Sequence, residues 1–262
     1  MGPLFAIDVG NSTIGIALYE DCSEERIVQR LLLPTTLLGD GDIEVFLREF
    51  YSVFGDFIGS QKKKTHAVAS SVVPTLNRPL TEVFRKLMIR RPLFINYKNN
   101  RILRFKVSTP KTIGSDRIAT TAAAYLLYKR AVAVVDFGTA TTLSIVDKDG
   151  IFRGGAIMPG LGSMLECLRD TTAQLPFTNI QEVRSPLGRD TISAILAGVI
   201  LGTAGAVERI IGDIEKAYAF KLQLALTGGH AGHMRPYLKR PCTINPNLIY
   251  EGLRQIYLRQ NI

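Results

Sequence analysis

A short pattern that occurs twice, half a chain apart, constrains the fold of this sequence more than any other feature. The runs LFAIDV (residues 4–9) and AVAVVDF (residues 131–137) are each typical of a buried strand. In both, an aspartate is followed two residues later by glycine and then by hydroxyl side chains; these aspartates, Asp8 and Asp136, are 128 positions apart in a chain of 262 residues. Each copy continues as strand, turn, strand, helix and strand. The repetition predicts an α/β fold of two duplicated domains with mixed sheets, and not one all-parallel sheet.

The boundary between the two predicted domains is marked only weakly in the sequence. No Pro/Ser-rich linker separates the halves, so we expect them to pack tightly. The loop at residues 108–115 lies between the two copies of the pattern. We therefore predict domains at residues 1–114 and 115–262, with the last helix packing back on the first domain.

The first Asp-x-Gly loop, residues 8–13 (DVGNST), has the chemistry of a phosphate-binding turn. Glycine lets the backbone approach a ligand closely, and consecutive N–H groups in a turn can surround an anion. Ser12 and Thr13 add hydroxyl donors, and Asp8 at the strand's end is suited to hold the waters of a Mg²⁺ ion. A hairpin turn with a capping aspartate explains this copy equally well.

The second copy, residues 136–142 (DFGTATT), favours the phosphate interpretation. Two facing loops of this kind can grip a polyphosphate from opposite sides, as in nucleotide sites between duplicated domains. A third loop, residues 226–230 (LTGGH), ends a late strand with Gly228 and Gly229, which could admit a flat adenine or ribose. A simple strand-to-helix turn explains these two glycines as well.

The segment GSDR (residues 114–117) precedes a predicted helix at residues 118–129 and has two interpretations. Ser115 or Asp116 could cap the helix, where a carboxylate is also favoured by the helix dipole. Alternatively, Asp116 could accept the proton of a substrate hydroxyl, and Arg117 could bind an anionic group of that substrate. The spacing by itself favours the cap.

The charge of the chain is compatible with several anionic partners. The formal net charge is +9, which attracts nucleic acid, nucleotides and anionic metabolites alike. The most basic run, Lys62–Lys64, is flanked by Gln61 and Thr65 and not by aromatic side chains, so we interpret it as a solvated loop. We expect no nucleic-acid partner.

Cysteine usage and hydropathy predict a cytoplasmic protein with no membrane partner. Three cysteines without a CxxC pair argue against a disulfide framework. The N-terminal segment lacks the basic region of a signal peptide. The longest apolar run, residues 192–207, is shorter than the roughly 18 residues that a membrane span requires, and its Gly, Ser and Thr favour a buried helix.

Several common catalytic motifs are absent from the sequence. It contains no P-loop, no G-x-G-x-x-G after a strand, no H-E-x-x-H and no G-x-S-x-G. His230 and His233 are three residues apart, but no neighbouring Cys, Asp or Glu completes a metal-binding set. These absences leave the two Asp-x-Gly loops and GSDR as the candidate site.

Taken in order along the chain, the short motifs form a specific set. They are D-V-G-N-S-T at 8–13, A-S-S-V-V-P at 69–74, G-S-D-R at 114–117, D-F-G-T-A-T-T at 136–142, G-G-A-I-M-P-G-L at 154–161, L-P-F at 175–177, G-R-D-T at 188–191 and T-G-G at 227–229. The set resembles the type III pantothenate kinases of bacteria. The resemblance implies two ribonuclease H-like (actin-like) domains with an ATP cleft between them. It also implies ATP-dependent phosphorylation of pantothenate, the first step of coenzyme A synthesis.

The resemblance also implies roles for individual residues. It makes Asp116 the general base and Asp136 the ligand of a monovalent cation, K⁺ or NH₄⁺, while Mg²⁺ accompanies ATP and is held through water by Asp8. The implied ATP contacts are Asp8, Val9, Gly10, Asn11, Ser12, Thr13, Ile14, Gly15, Thr139, Gly228 and Gly229. The implied pantothenate contacts are Val107, Gly114, Ser115, Asp116, Arg117 and Thr191. The family is typically a homodimer with the pantothenate pocket near the interface.

One departure from the family pattern keeps other functions open. Val107 stands where the family often has a tyrosine that contacts the substrate. A kinase with the same ATP site and another small hydroxylated acceptor, such as a sugar, is therefore a second hypothesis. A third is a regulatory protein of kinase ancestry that binds nucleotide or DNA, which only the basic charge supports.

Overall fold

The fold divides into two compact units. A computed structural model describes residues 2–39, 42–61, 65–87 and 89–260, so the lysine run at 62–64 lies outside the described residues. The first unit comprises Met1–Leu103, Ser108–Ala123 and Leu248–Ile262; the second comprises Arg104–Val107 and Ala124–Asn247. The sequence-based division between residues 114 and 115 therefore falls inside the first unit. The physical reason is that Ser115 is hydrogen-bonded to a strand of that unit.

The first unit is built on a mixed five-stranded sheet. Its strands are β1 (Leu4–Val9), β2 (Thr13–Tyr19), β3 (Gln29–Pro34), β4 (His66–Ser71) and β5 (Leu93–Phe94). The spatial order is β3-β2-β1-β4-β5. The pairs β1–β2 and β2–β3 are antiparallel, whereas β4 pairs with both β1 and β5 in parallel. This is the mixed sheet that the repeated pattern predicted.

Helices cover both faces of this sheet. They are α1 (Thr36–Gly39), α2 (Ile43–Gln61), α3 (Asn77–Lys86), α4 (Ser115–Tyr128) and α9 (Leu248–Leu258). On one face, Phe46, Phe50 and Phe54 recur every fourth residue of α2, so they share one side of the helix and pack with Phe5 of β1. On the other face, α9 packs against β1 and β4.

The second unit repeats the strand order of the first. Its strands are β6 (Arg104–Phe105), β7 (Val132–Phe137), β8 (Ala140–Val146), β9 (Ile151–Pro159), β10 (Gln223–Thr227) and β11 (Cys242–Ile244). The order β11-β10-β7-β8-β9-β6 contains the run β9-β8-β7-β10-β11, which matches β3-β2-β1-β4-β5 strand for strand. The directions match as well. The predicted duplication is confirmed, with β6 added at the edge of the second sheet.

A second apolar core lies between this sheet and its helices. The helices are α5 (Leu161–Thr171), α6 (Thr191–Leu196), α7 (Gly202–Tyr218) and α8 (Ala231–Met234). A π-helical turn, Ala197–Leu201, joins α6 to α7 into one continuous helix. Ile195, Val207 and Ile211 are among the buried side chains of this helix that enter the core.

The continuous helix is longer than the apolar run that the sequence suggested. Thr191–Tyr218 has 28 residues and is apolar enough to span a membrane by length and composition alone. The sequence-based argument from length is therefore wrong. Half of its most apolar 18-residue window is nevertheless buried inside the fold, which is the pattern of a core helix.

Candidate active site

The first Asp-x-Gly loop is a tight turn that a residue from a neighbouring segment supports by hydrogen bonds. The N–H of Gly10 donates to the Thr13 carbonyl (2.9 Å), which closes the turn between β1 and β2. Thr35, just after β3, braces it: its N–H donates to the Ser12 carbonyl (3.0 Å) and its hydroxyl to the Gly10 carbonyl (3.1 Å). Residues 11–13 are exposed. The loop thus presents polar groups to solvent on a fixed backbone.

Asp8 lies in a row of residues that crosses three strands. It pairs with Gly15 of β2 on one side and with Ser70 of β4 on the other. Residues directly opposite each other on neighbouring strands project from the same face of a sheet. The Asp8 carboxylate is therefore flanked by a glycine and by a serine hydroxyl.

Ser70 and its neighbour Ser71 bind the start of the GSDR segment. The hydroxyl oxygens of Ser70 and Ser115 are 3.0 Å apart, and the N–H of Ser71 donates to the Ser115 hydroxyl oxygen (2.9 Å). Ser115 is 7% exposed and Ser70 is fully buried. Ser115 thus uses its hydroxyl to attach α4 to β4, and the helix begins at Ser115, three residues earlier than predicted.

Asp116 is a partly buried carboxylate in the first turn of α4. One carboxylate oxygen accepts a hydrogen bond from the N–H of Arg117 (2.7 Å). Burial raises the pKa of Asp116 above its usual value, while that hydrogen bond and the charge of Arg117 partly oppose the rise. A Cβ on Gly114 would overlap the Asp116 carboxylate, so any other residue there would displace that carboxylate. A raised pKa makes the ionised carboxylate a stronger base.

The second Asp-x-Gly loop is a turn one residue shorter than the first, and it has a similar brace. The N–H of Gly138 donates to the Ala140 carbonyl (3.1 Å), and the N–H of Gly160 donates to the Thr139 carbonyl (3.0 Å). Like Thr35, Gly160 directly follows the proline that ends the third strand of its copy of the repeat. A Cβ on Gly160 would overlap the carbonyl oxygens of Gly138 and Thr139. The repeat therefore includes the way each loop is supported.

Asp136 is enclosed by glycines. A Cβ on Gly138 would lie 3.5 Å from an Asp136 carboxylate oxygen, and a Cβ on Gly228 would overlap that same oxygen. Gly228 has a φ of +89°, a conformation that side chains rarely adopt. Asp136 and Gly228 belong to the second unit together with Thr139 and Gly229, and the latter two are exposed.

Neither aspartate belongs to a dense cluster of metal ligands. Within the described parts of the chain, no three His, Cys, Asp or Glu side chains are grouped so that they could hold a metal ion. A single carboxylate such as Asp8 fits a Mg²⁺ ion that keeps several waters and is bound mainly through phosphates. At Asp136, the absence of side chains on Gly138 and Gly228 leaves backbone close to the carboxylate, which suits a weakly hydrated monovalent cation.

Two of the predicted substrate contacts lie in the second unit. Thr191 is the exposed first residue of α6, whose cap is Asp190, with Asp190 accepting from the N–H of Ser193 (2.9 Å). Thr191 lines a mainly apolar cavity of about 870 Å³ with Met164 and other residues of α5. Val107 follows β6, and a Cβ on Gly154 would lie 3.8 Å from it.

Comparison with known proteins assigns the family. The model of the family described as type III pantothenate kinase matches residues 4–213. The chain belongs to the type III pantothenate kinase family. A type III pantothenate kinase from Moorella thermoacetica is 34% identical over 261 residues, covering 98% of this chain and 99% of that protein. One from Brevibacillus brevis is 35% identical over 256 residues, covering 98% of each.

Solved structures support the fold of this pantothenate kinase family member. A protein solved as a conserved Baf family transcriptional activator from Campylobacter jejuni is 18% identical with a TM-score of 0.59, covering 98% of this chain and 100% of that chain. The ethanolamine utilization protein EutJ from Carboxydothermus hydrogenoformans is 14% identical with the same TM-score, covering 98% and 90%. At these identities the likeness concerns the fold alone.

Sequence reasoning missed some residues that shape the site of this kinase. Ser70 and Ser71 lie in the 69–74 motif, which had no assigned role, although two small hydroxyl residues at the end of a buried strand were a usable signal. Thr35 had no such signal, because its contacts with the loop join residues more than twenty positions apart. Tyr250, on α9, lies against Gly15 and was likewise not foreseen.

Proposed function

We propose that this protein transfers the γ-phosphoryl group of ATP to the primary hydroxyl of pantothenate, forming 4′-phosphopantothenate and ADP. This is the first step of coenzyme A synthesis. The observation that carries the proposal is the link from Asp8 through Ser70 to Ser115, because it holds the candidate base beside the first Asp-x-Gly loop within one compact unit.

Asp116 is the proposed general base. It takes the proton of the pantothenate hydroxyl as the oxygen bonds to the γ-phosphorus and the bond to the ADP oxygen breaks. Its raised pKa supports this role, because a buried carboxylate accepts a proton more readily than an exposed one. Arg117 would bind the substrate's carboxylate, and Gly114 and Ser115 would line the same pocket.

The two Asp-x-Gly loops are the proposed ATP-binding elements. Residues 8–15 are the proposed contacts of the first loop; among them the exposed residues 11–13 would offer hydroxyl and N–H groups to phosphate oxygens, and Thr139 would add a further contact. Gly228 and Gly229 would admit the nucleoside part. Asp8 would hold Mg²⁺ through water, and that ion, when bound, supplies positive charge that neutralises the phosphates.

Asp136 is the proposed ligand of a monovalent cation, K⁺ or NH₄⁺. The carboxylate lies among glycines, so backbone carbonyls can share the coordination. The positive charge of such a cation would neutralise part of the negative charge of the ATP phosphates, in addition to the charge that the protein's own residues neutralise.

We also propose a cytoplasmic homodimer. Thr191 and Val107 would contact pantothenate. Apolar side chains near the cavity, such as Leu187 and Ile192, are 71% and 42% exposed, and a second copy could cover them. Analytical ultracentrifugation, with Ile192→Glu as the disrupting variant, tests the dimer.

One assay tests the proposed reaction and its cation. Purified protein is supplied with ATP, Mg²⁺ and pantothenate, in K⁺ or in Na⁺, and phosphopantothenate is measured by mass spectrometry. We expect product in K⁺ and little in Na⁺, and we expect Asp136→Asn to remove this difference. ATP consumption with a sugar but not with pantothenate would overturn the proposed acceptor.

A further inference from the structure

Tyr250 of α9 reaches the sheet at the residue opposite Asp8. A Cβ built on Gly15 would overlap the hydroxyl oxygen of Tyr250, so the phenol occupies space that a side chain at position 15 would need. Gly15 is the cross-strand partner of Asp8. The glycine is therefore what allows a hydroxyl from a distant helix to lie beside the Asp8 carboxylate.

The distance between these groups follows from sheet geometry. Directly opposed residues have Cβ atoms about 4.5–5.5 Å apart. The Tyr250 oxygen overlaps the Cβ position of Gly15, so it lies on the same face of the sheet as the Asp8 side chain and within a few ångströms of it, near enough for the two charges to interact. A carboxylate and one hydrogen bond, or one intervening water, span such a gap.

Charge and burial agree with this placement. Tyr250 is 9% exposed. Burial raises its pKa to about 12; the negative charge of Asp8 adds to the rise, and Arg30 of β3 opposes it. The phenol therefore keeps its proton at neutral pH and can donate it to a carboxylate.

We propose that Tyr250 is a positioning residue for Asp8. Its hydroxyl donates a hydrogen bond to a water that the Asp8 carboxylate also binds, and so fixes the orientation in which Asp8 receives the waters of Mg²⁺. Ser70 flanks Asp8 on the opposite strand, so Asp8 is held between hydroxyl groups that originate on β4 and on α9. This inference rests on the proposed role of Asp8.

The test compares Tyr250→Phe with a matched control, Tyr19→Phe. Tyr19 lies on β2 like Gly15, and its hydroxyl is buried with no hydrogen-bond partner among the described residues. Isothermal titration calorimetry measures the Kd of ATP, once with Mg²⁺ present and once with a chelator that removes it. Steady-state kinetics measures the Mg²⁺ concentration that gives half-maximal activity, and the KM of pantothenate.

We expect Tyr250→Phe to raise the Kd of ATP roughly tenfold with Mg²⁺ but not with chelator, as loss of an outer-shell partner does. The half-maximal Mg²⁺ concentration should rise in parallel, the pantothenate KM should stay within about twofold, and Tyr19→Phe should match the wild type. Equal Mg²⁺ dependence in the two variants would overturn the proposal. So would a uniform loss of affinity for ATP and pantothenate, because that is the result of a purely structural role.

Asp8→Asn, measured in parallel, separates this inference from the function on which it rests. If Asp8→Asn leaves the Mg²⁺ dependence unchanged, the role of Asp8 itself is wrong. If Asp8→Asn shifts it and Tyr250→Phe does not, only the inference about Tyr250 fails. The double variant should shift no further than Asp8→Asn, because Tyr250 acts through that carboxylate.

Discussion

The hydroxyl oxygens of Ser70 and Ser115 lie 3.0 Å apart, although the two residues are 45 positions apart in the sequence. This pair connects the end of β4 to the first residue of α4. Asp8 is beside Ser70 in the sheet, and Asp116 directly follows Ser115. One buried contact therefore sets the position of the candidate base relative to the loop that begins at Asp8.

Ser115→Ala should weaken both the fold and the use of pantothenate. The variant leaves the Ser71 N–H and the buried Ser70 hydroxyl without this partner, so we expect the free energy of unfolding to fall by about 1–3 kcal/mol. Displacement of Asp116 should lower kcat/KM for pantothenate more than it changes the KM of ATP. Ser108→Ala, at an exposed position of the same unit, is the control in denaturant titration and should behave as wild type.

Asp116→Asn should remove most of the turnover without unfolding the protein. Asparagine keeps an oxygen that can accept from the Arg117 N–H but cannot take the substrate's proton. We expect kcat to fall by roughly 10²- to 10⁴-fold, with substrate affinities little changed. Near-normal kcat in a variant with a native circular dichroism spectrum would exclude Asp116 as the base.

The same substitution should stabilise the protein at neutral pH. Because burial raises the pKa of Asp116 in the folded state, the folded protein binds this proton more tightly than the unfolded chain. Stability is therefore lost as pH rises through the raised pKa, and Asp116→Asn removes that loss. Thermal unfolding should show a higher Tm for the variant at pH 7 and a smaller difference below the ordinary carboxyl pKa.

The activity of the wild type should fall on the acid side at a pH above the ordinary Asp range. Protonation of Asp116 removes the base, and its pKa is raised by burial. The acid limb of the kcat/KM profile for pantothenate reports the pKa of this group in the enzyme before pantothenate binds. An acid limb at the usual carboxyl pKa would contradict the assignment.

Gly160→Ala should impair ATP binding through the second loop. The new methyl group would overlap the carbonyl oxygens of Gly138 and Thr139, so the loop must move. We expect the KM of ATP to rise about tenfold or more, because small displacements of positioning groups have large kinetic effects. Gly162→Ala, two residues later in α5 with open space around it, should leave the KM of ATP unchanged.

Gly252→Ala should destabilise the first unit. A Cβ there would overlap the backbone of Ala119, so α9 and α4 touch through this glycine. Overpacking of this kind costs about 1–3 kcal/mol, which lowers Tm by roughly 2–12 °C in a protein of this size. Gly212→Ala, in the interior of α7 with no neighbour in the way, should instead add about 0.5–1 kcal/mol. Equal effects of the two substitutions would contradict the close contact.

The parts of the structure that were predictable are those encoded in local pattern. The runs that contain Asp8 and Asp136 predicted two sheets with the same strand connectivity. This was possible because apolar runs, turns and glycines are recognisable from a few consecutive residues. The start of α4 was predicted three residues too late. The local sequence suits Ser115 to a helix cap, but in the structure its hydroxyl binds a distant strand, which the local sequence does not indicate. Tyr250 could not be foreseen, as nothing near it in sequence indicates that α9 lies over Gly15.

The packing of α9 has a consequence for how the polypeptide reaches its native state as it is synthesised. β1 begins at Leu4 and α9 at Leu248, so the ribosome completes the first sheet long before the helix that covers one of its faces emerges. Throughout that interval the nascent sheet exposes the surface around Asp8 that α9 later shields. This surface is open to aggregation during elongation, and a premature stop codon before Leu248 would release a chain whose first sheet lacks its covering helix.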